Sequence, residues 1–98
     1  MLIKVHSSYR NTIAICDPDL LGKKFEEGNK YLDLTTTFFK GEEKSDKEAL
    51  EIIEKGVYED YTFNIVGKES IAIALKAGII QPEGVSTIQG VPVALVLL

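Results

Sequence analysis

The sequence has few of the residues on which catalytic and metal sites depend. Its 98 residues include one cysteine, Cys16, one histidine, His6, and no tryptophan. A single cysteine excludes an internal disulfide and a zinc site built from several cysteines. His6 and Cys16 are both even-numbered, so they share a face in regular strands and could form a nucleophile pair. A small enzyme that uses Cys16, His6 and the neighbouring Asp17 is therefore one hypothesis.

Long apolar segments and a basic leader are also missing. The longest stretch without charged residues is the last 15, residues 84–98, and it contains Gly, Pro, Ser, Thr and Gln. A membrane-spanning helix needs about 20 predominantly apolar residues. The first ten residues have no basic head followed by an apolar core, so we expect no signal peptide. We therefore expect a cytoplasmic protein that has no membrane partner.

What remains is the composition of one folded domain. The chain is 45% hydrophobic and 27% charged, without repeats or low-complexity tracts. These values are typical of a globular protein, and the length suits one modest core. We therefore treat residues 1–98 as a single domain.

The net charge of −4 is distributed unevenly. Residues 42–60 contain eight acidic residues and three lysines. This segment is either the solvated face of a helix or a docking surface for a basic partner. The sequence has no broad basic stripe of the kind that an autonomous DNA-binding domain displays.

Local patterns predict strands at both ends and two helices between them. β-Rich runs predict strands over 2–6, 12–16 and 30–39, and closing strands over 85–88 and 93–98. A polar loop joins the first two strands. Asp17 is expected to cap a short helical turn over 18–21. Pro92 must lie at an edge or at a strand start, because it cannot donate a backbone hydrogen bond.

Both helices have recognisable ends. Ser45 and Glu48 form a capping box, so we predict a helix over 46–55 that ends at Gly56. For the second helix, over 65–77, we expect Asn64 as the N-cap and Gly78 as the terminator.

Strands that flank two helices indicate an α+β domain. We predict a two-layer sandwich with a mostly antiparallel sheet and both helices on one face. The predicted core consists of Leu2, Ile3, Val5, Ile13, Ile15, Leu50, Ile53, Ile71, Leu75, Val93 and Leu95.

The turn at Gly67 and Lys68 resembles a phosphate-binding loop without meeting its requirements. A P-loop would need a glycine where Thr62 stands and a hydroxyl where Glu69 stands. A carboxylate at the second place repels phosphate. We therefore predict no tight nucleotide binding and no cofactor. Asn64, Gly67 and Lys68 stay candidates for weak anion binding at a helix N-terminus.

Other candidate binding residues are basic or lie in a turn. Lys23 and Lys24 could contact a phosphate backbone, while Tyr31, Phe38 and Phe39 could stack on bases or pack in a core. We also count Gly90, which joins the two closing strands. No acidic spacing resembles an EF-hand loop, so we predict no metal site.

Four stretches together resemble a family of small archaeal proteins, domain of unknown function 424. These are "CDPDLLGKKFEEG" (16–28), "FFKGEE" (38–43), "NIVGKESIAIALKAGII" (64–80) and "IQGVP" (88–92). The resemblance implies an α+β domain in an archaeal cytoplasm and supplies no activity. In that family a histidine often follows the "GVP", whereas this chain has Val93, which argues against a catalytic role for the C-terminal turn.

The sequence leaves the function unknown and favours one class over two others. A non-catalytic binding or accessory module comes first, with a protein or ribonucleoprotein partner and a link to RNA or ribosome machinery by association only. A homo-oligomeric structural protein comes second, with a weak homodimer through the uncharged C-terminal strands or the apolar helix nearby. The small enzyme comes last.

Overall fold

The chain forms eight β-strands and two α-helices in residues 1–7 and 11–97, the part that the computed structural model describes. The strands are β1 (Leu2–His6), β2 (Thr12–Cys16), β3 (Lys24–Glu27), β4 (Lys30–Asp33), β5 (Glu42–Glu43), β6 (Thr62–Val66), β7 (Ser86–Ile88) and β8 (Val91–Val96). The helices are α1 (Asp46–Tyr58) and α2 (Lys68–Ala77). Neither helix within the described ranges is long and apolar enough to cross a membrane. The predicted loop after β1 includes residues 8–10, which lie outside the described residues.

The main sheet has six strands in the order β5-β1-β2-β6-β8-β7. The β2–β6 pair is parallel, and the other pairs of this sheet are antiparallel. A parallel pair needs a long crossover, and β3, β4, β5 and α1 all lie within it. β3 and β4 form a separate hairpin. The predicted α+β class with a mostly antiparallel sheet is confirmed.

Helix α1 begins where its capping box predicts and ends later than expected. The Ser45 Oγ accepts from the Glu48 N–H at 3.2 Å, and the Glu48 carboxylate accepts from the Ser45 N–H at 3.0 Å. Those hydrogen bonds from Ser45 hold the pKa of Glu48 below its usual value. The helix then continues through Gly56 to Tyr58, so the prediction that Gly56 ends it was wrong.

Gly56 serves helix–sheet packing rather than helix termination. It is buried, and a Cβ atom there would lie 2.7 Å from the Ile13 Cδ1 and 2.9 Å from the Phe63 Cζ. The absence of a side chain therefore lets α1 approach β2 and β6 closely. The left-handed residue after the helix is Asp60, whose φ is 59°.

The predicted start of the second helix was also wrong. Residues 62–66 form β6, which pairs with β2 on one side and β8 on the other. Asn64 thus lies in the middle of a strand, and the N-cap of α2 is Gly67. Two strand partners satisfy the backbone of β6, which overrides the local helix signal. The C-terminal prediction is confirmed, because Gly78 is left-handed at φ 79°.

Two other strand predictions needed correction. The strand predicted over 30–39 ends at Asp33, whose carboxylate accepts a hydrogen bond from the Thr35 N–H at 2.8 Å and starts a turn. A 3₁₀ turn, Thr37–Phe39, follows. The last strand begins at Val91, earlier than predicted, and Pro92 is its second residue.

The core consists of two clusters. Successive residues of β2 and β6 belong alternately to one cluster and to the other. The larger cluster combines Ile13, Ile15, Phe63 and Ile65 with residues of both helices. The second cluster combines Ala14, Cys16 and Val66 with Leu34 and Phe39. The predicted core residues Ile3, Ile13, Ile15, Ile53 and Ile71 are buried, and Leu2, Leu50 and Val93 are half-buried. Val5, Leu75 and Leu95 are exposed, so those predictions were wrong.

Candidate functional site

The N-terminus of α2 is occupied by a carboxylate of the chain itself. The buried Asp17 accepts hydrogen bonds from the Glu69 N–H at 3.0 Å and from the N–H and hydroxyl of Ser70 at 2.8 and 2.7 Å. These donors and the helix dipole would otherwise attract an external anion. Asp17 therefore takes the place of a bound phosphate.

The parallel pairing of β2 with β6 explains how Asp17 reaches α2. Cys16 lies opposite Val66, so the residues that follow, Asp17 and Gly67, leave the sheet side by side. A Cβ atom at Gly67 would lie 2.3 Å from the Asp17 Cγ, and Gly67 has a φ of 108°. Only glycine suits this position. The predicted short turn is present as a 3₁₀ turn over Pro18–Leu20 with Asp17 at its N-cap position, but the Asp17 side chain makes no capping bond there and bonds to α2 instead.

A small cavity next to this cap brings together three of the predicted binding residues. Gly67, Lys68 and Gly90 line a space of about 170 Å³ together with Asp17 and Asp19. The lining has two carboxylates and one lysine, and the carboxylates make this cavity a poor place for a phosphate.

The other predicted lysines lie outside that cavity. Lys23 and Lys24 are exposed at the start of the β3–β4 hairpin, where Lys24 lies opposite Asp33 in the strand register. Among the described residues, no group of three His, Cys, Asp or Glu side chains is arranged to hold a metal ion.

Cys16 and His6 share a face of the sheet, as predicted, but they do not meet. Cys16 lies opposite Leu2, whereas His6 lies opposite Thr12 at the other end of the same strand pair. Burial, followed by the charges of Asp17 and Asp19, raises the pKa of Cys16 to about 12. The thiol also donates to the Asp17 carbonyl at 3.3 Å. Cys16 therefore lacks both the partner and the ionisation of a nucleophile.

One face of the main sheet is only partly covered. Because β1, β2, β6 and β8 are in register, Lys4, Ala14, Asn64 and Leu95 form one row across it, and His6, Thr12 and Thr62 form the next. Ala14, in the middle of the first row, is fully buried, and together with the opposite end of this face it belongs to the second core cluster. We call the uncovered part the open sheet face, with the side chains Lys4, His6, Thr12, Thr62, Asn64 and Leu95, all exposed or half-buried.

An aromatic pair borders the open sheet face at β1. The rings of His6 and Phe38 stack with centroids 4.5 Å apart and an interplanar angle of 12°. The His6 Nε2 lies 2.9 Å from the Phe38 carbonyl oxygen, which fixes the ring to the 3₁₀ turn. Phe38 remains 36% exposed. This contact joins residues 32 positions apart, so no local sequence pattern predicts it.

A groove borders the open sheet face on the β8 side. It has a volume of about 470 Å³, and its lining includes Tyr31, Phe39, Asn64, Val93 and Leu95. Asn64 supplies a half-buried amide, although the sequence predicted a helix cap there. That amide makes no hydrogen bond to any other residue in the described ranges. A donor and an acceptor are thus available among apolar and aromatic side chains.

Comparisons with known proteins agree with this fold and give no activity. A crystal structure of an uncharacterized conserved protein from Methanopyrus kandleri superposes with a TM-score of 0.85 at 23% identity, covering 98% of this chain and 90% of that one. No curated protein matches the chain. Residues 5–98 match the family described as protein of unknown function (DUF424). The chain therefore belongs to the DUF424 family.

Proposed function

We propose that this protein is a non-catalytic binding module, and that the open sheet face is its binding surface. The observation that carries the proposal is the free Asn64 amide in a groove lined by Tyr31, Phe39 and Leu95. Concave sites that combine apolar walls with a few polar groups are typical of binding surfaces. Of the binding residues predicted from sequence, Asn64 belongs to this surface; Lys23, Lys24, Gly67, Lys68 and Gly90 lie elsewhere.

The remaining chemistry of the chain supports binding over catalysis. Cys16 is buried and holds its proton, and the N-terminus of α2 is occupied by Asp17. His6 is held against Phe38. We place the module in the cytoplasm, as an accessory to machinery that contains RNA.

The proposal includes a two-layer arrangement, with both helices on the sheet face opposite the open one. Its support is the larger core cluster, in which Ala49 and Ile53 of α1 and Ile73 and Ala74 of α2 join alternate residues of β2 and β6. This arrangement places the acidic helix α1 away from the open sheet face.

A homodimer through β8 is the second candidate. β7 pairs only with residues 91–93, so the outer edge of β8 beyond residue 93 has no strand partner in the described part of the sheet. Leu95 and Leu97 are 58% and 67% exposed, and residues 84–98 contain no charge. An uncharged, exposed strand edge favours pairing with another chain.

Affinity capture from the native cell extract tests the binding function. The tagged protein, its Asn64→Leu variant and a Tyr58→Ser control are compared with and without nuclease treatment. Tyr58 is 88% exposed on α1, away from the groove. We expect a specific partner to be lost with Asn64→Leu and kept with Tyr58→Ser. Identical recovery with all three proteins would contradict the proposed surface.

A further inference from the structure

The outer edge of β8 beyond Val93 presents backbone groups in the arrangement of a strand that lacks a neighbour. The Pro92 carbonyl accepts a hydrogen bond from the Gly67 N–H at 2.9 Å, so the even-numbered residues of β8 bond towards β6. The odd-numbered residues point the other way, and β7 pairs with them only as far as Val93. Leu95 and, by the same alternation, Leu97 therefore direct their N–H and C=O groups outwards. We call residues 95–97 the free edge of β8.

β7 stops before it can cover this free edge. Its first residue, Ser86, lies opposite Val93. The N–H groups of Gly84 and Val85, which precede it, bond back to carbonyls of the turn before β7, at 2.9 and 3.2 Å. In the part of the chain that the structure describes, no backbone hydrogen bond reaches Leu95 from this side. The free edge can therefore accept another strand.

We propose that two copies of the chain pair their free edges in antiparallel fashion about a two-fold axis at Val96, and that each copy completes the groove of the other. The inference rests on the homodimer named in the proposed function and adds its register and its effect on the groove. An axis at Leu95 is excluded, because Leu97 would then lie opposite Val93, which already pairs with β7 on that side. An axis at Val96 puts Leu95 opposite the partner's Leu97, so the outward groups of both residues are paired.

The chemistry of the free edge favours a second copy as the partner. Leu95 and Leu97 are 58% and 67% exposed, and residues 84–98 contain no charged side chain. An uncharged, apolar edge suits a strand of the same kind, and β8 is itself such a strand. No like charges meet when the two identical edges face each other. Pro92, the one proline of β8, lies outside the pairing segment.

This pairing extends the groove across the two-fold axis. Leu95 lies opposite Asn64 in the sheet and lines the groove. Directly opposite residues of an antiparallel pair share a face, so the partner's Leu97 lies beside Leu95, with Cβ atoms about 5 Å apart, and adds a wall to the groove. The open sheet faces of both copies then lie on the same side of one continuous sheet. The two Asn64 amides stand three strand spacings apart, about 14 Å across the strands.

Disulfide trapping in a Cys16→Ala background tests the register. In the proposed pair, Val96 lies opposite the partner's Val96 without hydrogen bonds between them, and such Cα atoms are about 4.5 Å apart, within reach of a disulfide. We expect Val96→Cys to form a covalent dimer under mild oxidation. Leu95→Cys and Leu97→Cys should form one efficiently only when the two variants are mixed. Tyr58→Cys is the control for random collision, because Tyr58 is 88% exposed and lies on α1.

Light scattering across a dilution series tests the backbone contact. Leu97→Pro removes an outward N–H group and leaves the pairing of β8 with β6 unchanged. Each dimer then loses two hydrogen bonds, so we expect association to weaken at least about tenfold. Leu97→Val keeps the N–H group and should associate like the parent protein. Circular dichroism melting at low protein concentration should give the same melting point for the two variants.

The outcomes separate this inference from the proposed function. A mass that does not change with concentration, with no more Val96→Cys dimer than Tyr58→Cys dimer, would reject both the inference and the homodimer; capture through Asn64 would still decide the binding module. A dimer that Leu97→Pro leaves intact, or that Leu95→Cys alone traps better than Val96→Cys, would reject the proposed pairing and keep a homodimer. Equal capture of an Asn64-dependent partner by Leu97→Pro and Leu97→Val would reject the shared groove.

Discussion

Asp17 is the residue that most changes the interpretation of the Gly67 turn. A strand, a glycine and a helix N-terminus resemble a phosphate site, yet an internal carboxylate already accepts hydrogen bonds from the first turn of α2. The local sequence around Gly67 could not predict this contact, because Asp17 lies 50 positions earlier in the chain. Because the Asp17 carboxylate occupies this helix N-terminus, the turn needs neither a bound phosphate nor the P-loop hydroxyl that Glu69 replaces.

Replacing Asp17 should destabilise the domain. Asp17→Ala leaves three buried or half-buried donors without a partner, so we expect a loss of about 3 kcal/mol in the free energy of unfolding. Urea denaturation measures it. Asp19→Ala is the matched control, because Asp19 is exposed. Equal losses for the two variants would show that the cap is unimportant.

Cys16 should resist alkylation in the folded protein. Its raised pKa leaves almost no thiolate at pH 8, and its side chain is buried. We expect iodoacetamide to modify Cys16 only after the protein is unfolded in denaturant, as followed by mass spectrometry. Native modification at the rate of the unfolded chain would contradict this.

The same pKa shift predicts a pH dependence of stability. The folded thiol keeps its proton up to about pH 12, whereas the unfolded one loses it near 9.0. Stability from this group is therefore complete below pH 9 and falls as the pH rises towards 12. Cys16→Ala should remove this pH dependence of the unfolding free energy, which urea denaturation at pH 8, 9 and 10 measures. An unchanged pH dependence would contradict the raised pKa of Cys16.

At the scale of elements, the junction between β6 and α2 depends on a glycine. Gly67 combines a positive φ with direct contact to Asp17, so Gly67→Ala should cost about 3 kcal/mol or more in unfolding free energy. Gly84→Ala is the control, because a Cβ atom there meets nothing within 4 Å. We expect that control to stay within about 0.5 kcal/mol of the parent protein. Similar thermal melting points for both variants would refute the prediction.

At the scale of the molecule, the exposed edge of β8 predicts weak self-association. Light scattering across a dilution series should show a mass that rises with concentration, because pairing would cover Leu95 and Leu97. Leu95→Lys should abolish that rise, since it places charges against each other across the symmetric contact. A constant monomer mass for the unmodified chain would end the dimer hypothesis.

Sequence alone determined the features that neighbouring residues encode. The start of α1 follows from Ser45 and Glu48, three positions apart, and β1 and β2 follow from short β-rich runs. Their physical basis is local hydrogen bonding and side-chain periodicity. The α+β class followed from the order of the predicted strands and helices, and the family was suggested by the resemblance of four short stretches and shown by the match over residues 5–98.

Tertiary structure decided what depends on pairing between distant segments. Asn64 became a strand residue in a groove because β6 has partners on both sides, and Gly56 stayed helical because α1 packs closely on the sheet. The register of β2 against β6 placed Asp17 at α2, and the packing of the 3₁₀ turn placed Phe38 on His6. A sheet brings together residues tens of positions apart, and no short window of sequence contains those contacts.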